Sequence, residues 1–173
     1  MGVLVRNNLQ VETNILTQSM NMAVNSVMEL LLEIIFLRML DPADFMSRRK
    51  GLEDALYVWL HERTLQRAIF EVSLPESSDA LEHFEVAFTY SDTPDSQVKR
   101  AQIDELKHFC QTLNSLPPGS SYDIIVCLTP GAKEVSGWVV GKEKPINPTV
   151  EKQFGTFGYG AIAGELRYRG GTF

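Results

Sequence analysis

Residues 27–40 read VMELLLEIIFLRML, and this apolar stretch decides the fold. Asn25, Glu29 and Glu33 recur every four residues, so a helix here carries one narrow polar stripe on an otherwise apolar surface. Charged residues interrupt the stretch, which is shorter than the roughly 20 apolar residues needed to cross a bilayer. We therefore expect a core helix over about Glu12–Leu40, ended by Asp41-Pro42 and surrounded by protein on most sides.

A second helix and a β-hairpin are predicted after the core helix. The helix is expected over about Ser47–His61, because apolar residues fall on one of its faces: Leu52, Ala55, Leu56, Trp59 and Leu60. The apolar period then changes to two in Ala68–Leu74 and in Leu81–Tyr90, which indicates strands. The short, turn-rich connector PESSDA predicts that these strands pair antiparallel, with an aromatic face covered by helices.

The remaining elements are predicted from their boundaries. Thr93-Pro94-Asp95 is typical of a helix start, so a third helix is expected from there to about Leu116. Tyr122–Leu128 is predicted to be a third strand. Before the core helix, Met1–Gln10 has no clear period and is expected to form a loose arm or a short strand. The fold class is thus α+β, with three helices on one face of a small antiparallel sheet.

The composition indicates one globular domain over residues 1–173. The chain has 44% hydrophobic and 22% charged residues, and a formal net charge of −6. An acidic balance argues against nucleic acid or an anionic membrane as a partner. No secretion signal is apparent and two cysteines build no disulfide framework, so a cytoplasmic location is expected.

No motif in the sequence predicts catalysis, a metal site or a cofactor. His108 and Cys110 are two residues apart on a predicted helix and would point in different directions. Residues 158–164 read GYGAIAG, which resembles a dinucleotide-binding loop. However, the third glycine is one position late, and the β-strand and acidic residue that this motif requires do not follow. The scattered histidines and cysteines lack metal-ligand spacing. The residues alone therefore point to no active site.

The composition changes at Gly131, since residues 131–173 contain nine of the twelve glycines. Strands are expected at Val135–Val140 and Ile162–Tyr168, joined by an irregular stretch. Glycine allows such a segment more than one path over the protein body. The third strand leaves an open sheet edge, to which a peptide could add as an extra strand. Alternatively, the tail itself completes the sheet as two more strands.

The order of elements resembles that of HORMA domains over essentially the whole chain. Local stretches resemble the bacterial branch, which accompanies cGAS-like nucleotidyltransferases in anti-phage signalling operons. These stretches are LDPADF (40–45), YVWL (57–60), RAIFEVSL (67–74), FEVAFTY (84–90) and GTFGYGAIAGELRYRG (155–170). The resemblance implies a flexible arm at residues 1–10, a core at 11–130 and a C-terminal safety belt at 131–173.

The resemblance also implies that the protein is not an enzyme but a signalling adaptor that switches conformation. A closure-motif peptide would pair with the third strand and pass beneath the safety belt. The closed complex would activate a cGAS/DncV-like nucleotidyltransferase, and an AAA+ remodelling ATPase would reopen the domain by pulling on the N-terminal arm. The residues expected to bind the peptide or fasten the belt are Ile124, Val126, Leu128, Trp138, Phe154, Phe157 and Tyr159.

Two alternatives remain at this point. The chain could be a scaffold subunit that donates its own terminal peptide to a second HORMA protein. It could also be a small-molecule enzyme whose site lies under the glycine-rich tail. For each aromatic residue of the tail, plain packing in the core is an alternative to a role in peptide binding.

Overall fold

The computed structural model describes residues 2–138 and 142–171 and has the predicted α+β architecture. In chain order, the elements are α1 (Gly2–Leu37), α2 (Ala43–His61), β1 (Leu65–Ser73), β2 (Ala80–Lys99), α3 (Ile103–Cys110), β3 (Ser121–Leu128) and β4 (Val150–Gly170). The four described strands form one antiparallel sheet in the order β3-β1-β2-β4. The predicted fold class and the antiparallel hairpin are confirmed.

Helix α1 is the core helix that the apolar stretch predicts. Val27, Ile34 and Ile35 are buried, whereas Asn25 and Glu29 on the polar stripe are exposed. The segment Asn14–Leu37 is long and apolar enough to cross a membrane by length and composition, and half of its most apolar window is buried inside the protein. Its apolar surface is therefore largely used by the fold itself.

The ends of α1 differ from the prediction. The helix begins at Gly2, so the loose arm or short strand expected for Met1–Gln10 is wrong for residues 2–10. Packing already stabilises the later part of the helix, so extending it toward the N-terminus needs no new nucleation. A prediction from the spacing of apolar residues does not account for such an extension. The helix ends at Leu37, before Asp41-Pro42, because Met39 takes a left-handed φ of 56°. The N–H of Leu40 then donates to Ile35 O at 2.9 Å, as in a Schellman motif.

The helix predicted from Thr93 is wrong over its first ten residues. Strand β2 continues to Lys99 and pairs there with β4, and α3 spans only Ile103–Cys110. The pairing of β1 with β2 ends at Ala87, so the later part of β2 has one edge without a β1 partner. Such an edge tolerates Pro94, which cannot donate a backbone hydrogen bond.

The tail also differs from the prediction. Residues 135–138 are irregular, with a turn at Gly137 (φ 87°), so the strand expected at Val135–Val140 is wrong there; Val139 and Val140 lie outside the described residues. The strand expected at Ile162–Tyr168 exists as part of the longer β4. Because β4 pairs with β2, the tail completes the sheet on the edge opposite β3.

Candidate peptide-binding groove

A groove with a volume of about 580 Å³ lies beside β3. Its walls come from four parts of the chain: α2 residues between Phe45 and Leu52, Glu71 of β1, the β3 residues Asp123–Val126, and tail residues between Ser136 and Lys144. The lining includes side chains from both faces of β3, because Ile124 and Val126 alternate with Asp123 and Ile125. The groove therefore surrounds the edge of the strand.

The edge of β3 that faces the groove has no strand partner among the described residues. β3 is the first strand in the sheet order and pairs only with β1. Its register with β1 places Ile124 opposite Phe70 and Val126 opposite Ala68, so both side chains face the helical layer. An unpaired edge of this kind can accept an extended peptide by strand addition.

The tail segment 131–149, here called the crossing segment, is fastened to α2 on one side of the groove. The indole N–H of the buried Trp59 donates to Lys133 O at 2.9 Å. The rings of Trp59 and Trp138 meet edge to face, with centroids 5.3 Å apart. A core residue of α2 thus holds the crossing segment at two points.

Further along, the crossing segment is fastened to the face of the sheet that lies opposite the helices. The Lys144 N–H donates to Glu71 Oε2 at 2.7 Å, and Lys144 Nζ donates to Ser73 Oγ at 2.8 Å. The Ala80 N–H donates to Pro145 O at 2.9 Å. Two attachments, one on α2 and one on β1 and β2, therefore hold the segment beside the open edge.

The second attachment includes a buried histidine and carboxylate pair. His83 Nε2 lies 3.1 Å from Glu71 Oε2, and both side chains are almost completely buried. Burial lowers the pKa of His83, although the nearby Glu71 carboxylate opposes this shift. A neutral imidazole can donate its Nε2–H to Glu71 without a buried positive charge, which leaves His83 Nδ1 buried without a hydrogen-bond partner.

The structure brings three of the predicted site residues together at the groove: Ile124, Val126 and Trp138. The other four lie outside its lining. Leu128 packs against the hydrophobic core at the end of β3. Phe154 is buried with its ring 5.5 Å from that of Phe109, and Phe157 is buried against Gly164. Tyr159 is half-buried on β4. These aromatic side chains of β4 lie where they can fasten the belt to the body.

Sequence reasoning missed the contribution of α2 and of the lysines in the tail. Phe45, Gly51 and Leu52 line the groove from the helix, and Lys142 and Lys144 line it from the crossing segment. Leu52 was predicted only as a core residue. Gly51 is the one signal in the sequence for this helical wall, because a glycine in a helix interior weakens the helix and usually has a packing or functional role.

The arrangement of reactive side chains does not suggest nucleophilic chemistry. Cys110 is buried, and burial raises the pKa of its thiol to about 12, so it stays protonated at neutral pH. His108 is exposed on the other side of α3. Among the described residues, no three His, Cys, Asp or Glu side chains converge as a metal site requires. The groove instead offers apolar side chains and free backbone groups.

A family model and several solved structures match this chain. The family model described as Bacterial HORMA domain 2 matches residues 8–169. A chain of a mitotic checkpoint complex superposes with a TM-score of 0.75 at 12% identity, covering 90% of this chain and 99% of that chain. No individually curated protein matches the sequence.

Two further solved structures contain bound partners. HTP-2 of C. elegans bound to the HIM-3 closure motif has a TM-score of 0.61 at 13% identity, covering 78% of this chain and 73% of that chain. The E. coli MS115-1 HORMA:CdnC:Trip13 complex has a TM-score of 0.59 at 13% identity, covering 91% and 90%. At such low identities these structures establish the fold alone. Because the family model spans nearly the whole sequence, this chain belongs to the bacterial HORMA domain 2 family.

Proposed function

We propose that this chain is a non-enzymatic cytoplasmic adaptor that closes around a closure-motif peptide and then binds and activates a cGAS/DncV-like nucleotidyltransferase in anti-phage signalling. The observation that carries the proposal is the unpaired edge of β3 inside a groove bounded by the crossing segment. Solved relatives add support, since one is bound to a closure motif and another is in a complex with CdnC and Trip13.

The backbone of β3 favours strand addition. The Thr129 N–H, just beyond β3, donates to Thr64 O at 2.9 Å on the β1 side. N–H groups of successive residues in a strand point to opposite edges, so we expect those of Ile124, Val126 and Leu128 to point toward the open edge. A peptide bound there gains main-chain hydrogen bonds, while its side chains meet the walls of the groove.

The peptide could come from another signalling protein or from the terminus of a second HORMA protein. Both sources present the same chemistry to the groove, namely an extended backbone with alternating side chains. In the scaffold role expected as an alternative, this chain would instead donate its own terminal peptide to the groove of a second HORMA protein. A second HORMA protein is included among the proposed partners.

An AAA+ remodelling ATPase is the proposed partner that reopens the domain. Helix α1 packs against β4, where the Ala161 N–H donates to the buried Ser19 Oγ at 3.3 Å. Unwinding α1 from its N-terminus would remove this support and uncover β4. A conformational switch of this type needs two packings that differ by only a few kcal/mol.

Reconstitution with a cGAS/DncV-like nucleotidyltransferase tests the proposal. A peptide selected from a displayed random library on the purified protein serves as the closure motif. We expect cyclic oligonucleotide synthesis only when the enzyme, this protein and the peptide are all present. Equal synthesis without the protein, or without the peptide, would contradict the proposed function.

A further inference from the structure

Gly51 lies in the interior of α2, where the fold itself gives no reason for a glycine. Helix α2 spans Ala43–His61, so Gly51 is more than two turns from its start. Its φ is not in the left-handed region, and a Cβ added to it would meet no atom within 4 Å. Apart from proline, glycine is the least favourable residue in a helix interior. Alanine would fit this position and favour the helix.

The position of Gly51 in the groove suggests what the glycine is for. It lines the groove on the same face of α2 as Ser47, Arg48 and Leu52, opposite the open edge of β3. Without a side chain at residue 51, space remains between the helix and the strand. The apolar side chains of Leu52, Ile124 and Trp138 lie around the same groove.

An added strand would place every second side chain toward α2. Successive side chains in a strand point to opposite faces, so one set meets the helical wall and the other meets the side of Lys142 and Lys144. A side chain that points at α2 can occupy the space left at Gly51. Because Leu52, Ile124 and Trp138 supply apolar surface in the groove, a large apolar side chain can bury area against them in that space.

We infer that Gly51 determines specificity: the groove binds an extended peptide that places a large apolar side chain against α2 at residue 51. This inference rests on the proposed peptide-binding function and adds the chemistry of the ligand. Filling the space at residue 51 should exclude that side chain while leaving the helix intact.

Selection of peptides from a displayed random 12-residue library tests the inference. On the wild-type protein we expect enriched sequences to share a Leu, Ile, Met, Phe or Trp at one fixed position. On Gly51→Leu we expect glycine or alanine at that position instead, because the new side chain occupies the space. Lys50→Leu is the matched control, since Lys50 is exposed on the neighbouring face and is not part of the groove lining.

Binding constants of one enriched peptide complete the test. For Gly51→Leu we expect affinity to fall by about ten- to a hundredfold, the usual effect of overfilling a packed site. Lys50→Leu should bind like the wild type, and both variants should keep the thermal stability of the wild type or exceed it. Unchanged affinity in Gly51→Leu, or enriched peptides without a fixed apolar position, would overturn the inference. If no peptide is enriched on the wild type, the proposed function fails and the inference fails with it.

Discussion

Trp59 and Trp138 meet edge to face, with ring centroids 5.3 Å apart and an interplanar angle of 80°. Trp59 belongs to the core of α2, whereas Trp138 belongs to the crossing segment beside the groove. The same indole of Trp59 donates to Lys133 O. One buried ring therefore couples the core to the segment that, in the proposed function, moves aside when a peptide is threaded beneath it.

Replacing Trp138 with alanine should loosen the crossing segment without unfolding the protein. An aromatic pair contributes about 0.5–1.5 kcal/mol beyond its buried area, so the opened segment should be populated about fivefold more. Tryptic cleavage after Lys133 and Lys142 measures this opening, and we expect it to become correspondingly faster. Dissociation of a bound peptide should also become faster in a surface-plasmon assay, because release requires the segment to open.

Phe36→Ala is the matched control for Trp138→Ala. Phe36 is an aromatic residue with 58% of its surface exposed on α1, outside the groove lining. We expect its removal to leave the rate of tryptic cleavage in the crossing segment unchanged. Equal cleavage rates in Trp138→Ala and the wild type would show that the ring pair does not hold the segment.

A buried network fastens the end of β4. Arg38 forms two hydrogen bonds with Glu82, at 2.9 and 2.7 Å, and the Tyr168 hydroxyl donates to Glu82 Oε1 at 3.0 Å. Tyr168→Phe removes one hydrogen bond to a charged group and should lower the free energy of unfolding by about 1.5–3 kcal/mol. Urea denaturation measures this loss. Tyr57→Phe, which loses only the exposed bond to Asn21, should change stability by less than about 0.5 kcal/mol.

Gly160 of β4 allows close contact with α1. Gly160 has a φ of 63°, and a Cβ there would lie 2.2 Å from Ser19 Oγ. Gly160→Ala should therefore lower the free energy of unfolding by about 1–3 kcal/mol through overpacking, in addition to the cost of placing alanine in a left-handed backbone conformation. Gly119→Ala is the matched control, because Gly119 has a φ of 83° but open space around its Cβ position. If both variants have the same thermal midpoint, the contact between α1 and β4 does not restrict residue 160.

The sequence predicts the elements whose local pattern agrees with their tertiary surroundings. The apolar face of α2 and the alternation in β1 and in the first half of β2 belong to this group, because the core selects one side of each element. The helix start predicted at Thr93-Pro94-Asp95 is wrong because pairing with β4 overrides the strong local helix signal. The groove could be predicted on its β3 side and, through Trp138, on its tail side, but not on its α2 side. Gly51 and Lys144 approach that strand through folding, and no local spacing relates them to it.

The stability of the protein should fall as the pH decreases through the ordinary range of histidine. Burial lowers the pKa of His83, the carboxylates of Glu71 and Glu143 oppose this shift, and Arg169 adds to it. Below a pH of about 6.5 the unfolded chain therefore binds a proton at this histidine while the folded protein does not. Because the unfolded state binds more protons, the free energy of unfolding decreases as the pH falls.

Urea denaturation between about pH 8 and pH 5.5 measures this dependence, above the range in which most carboxylates titrate. We expect the wild type to lose stability toward pH 5.5 and His83→Gln to lose less, since glutamine does not titrate but can still donate to Glu71. His61 and His108 are present in both proteins, so the difference between the two curves isolates His83. Parallel curves would mean that His83 binds its proton equally in the folded and unfolded states, and the attachment of Lys144 through Glu71 would then be independent of pH.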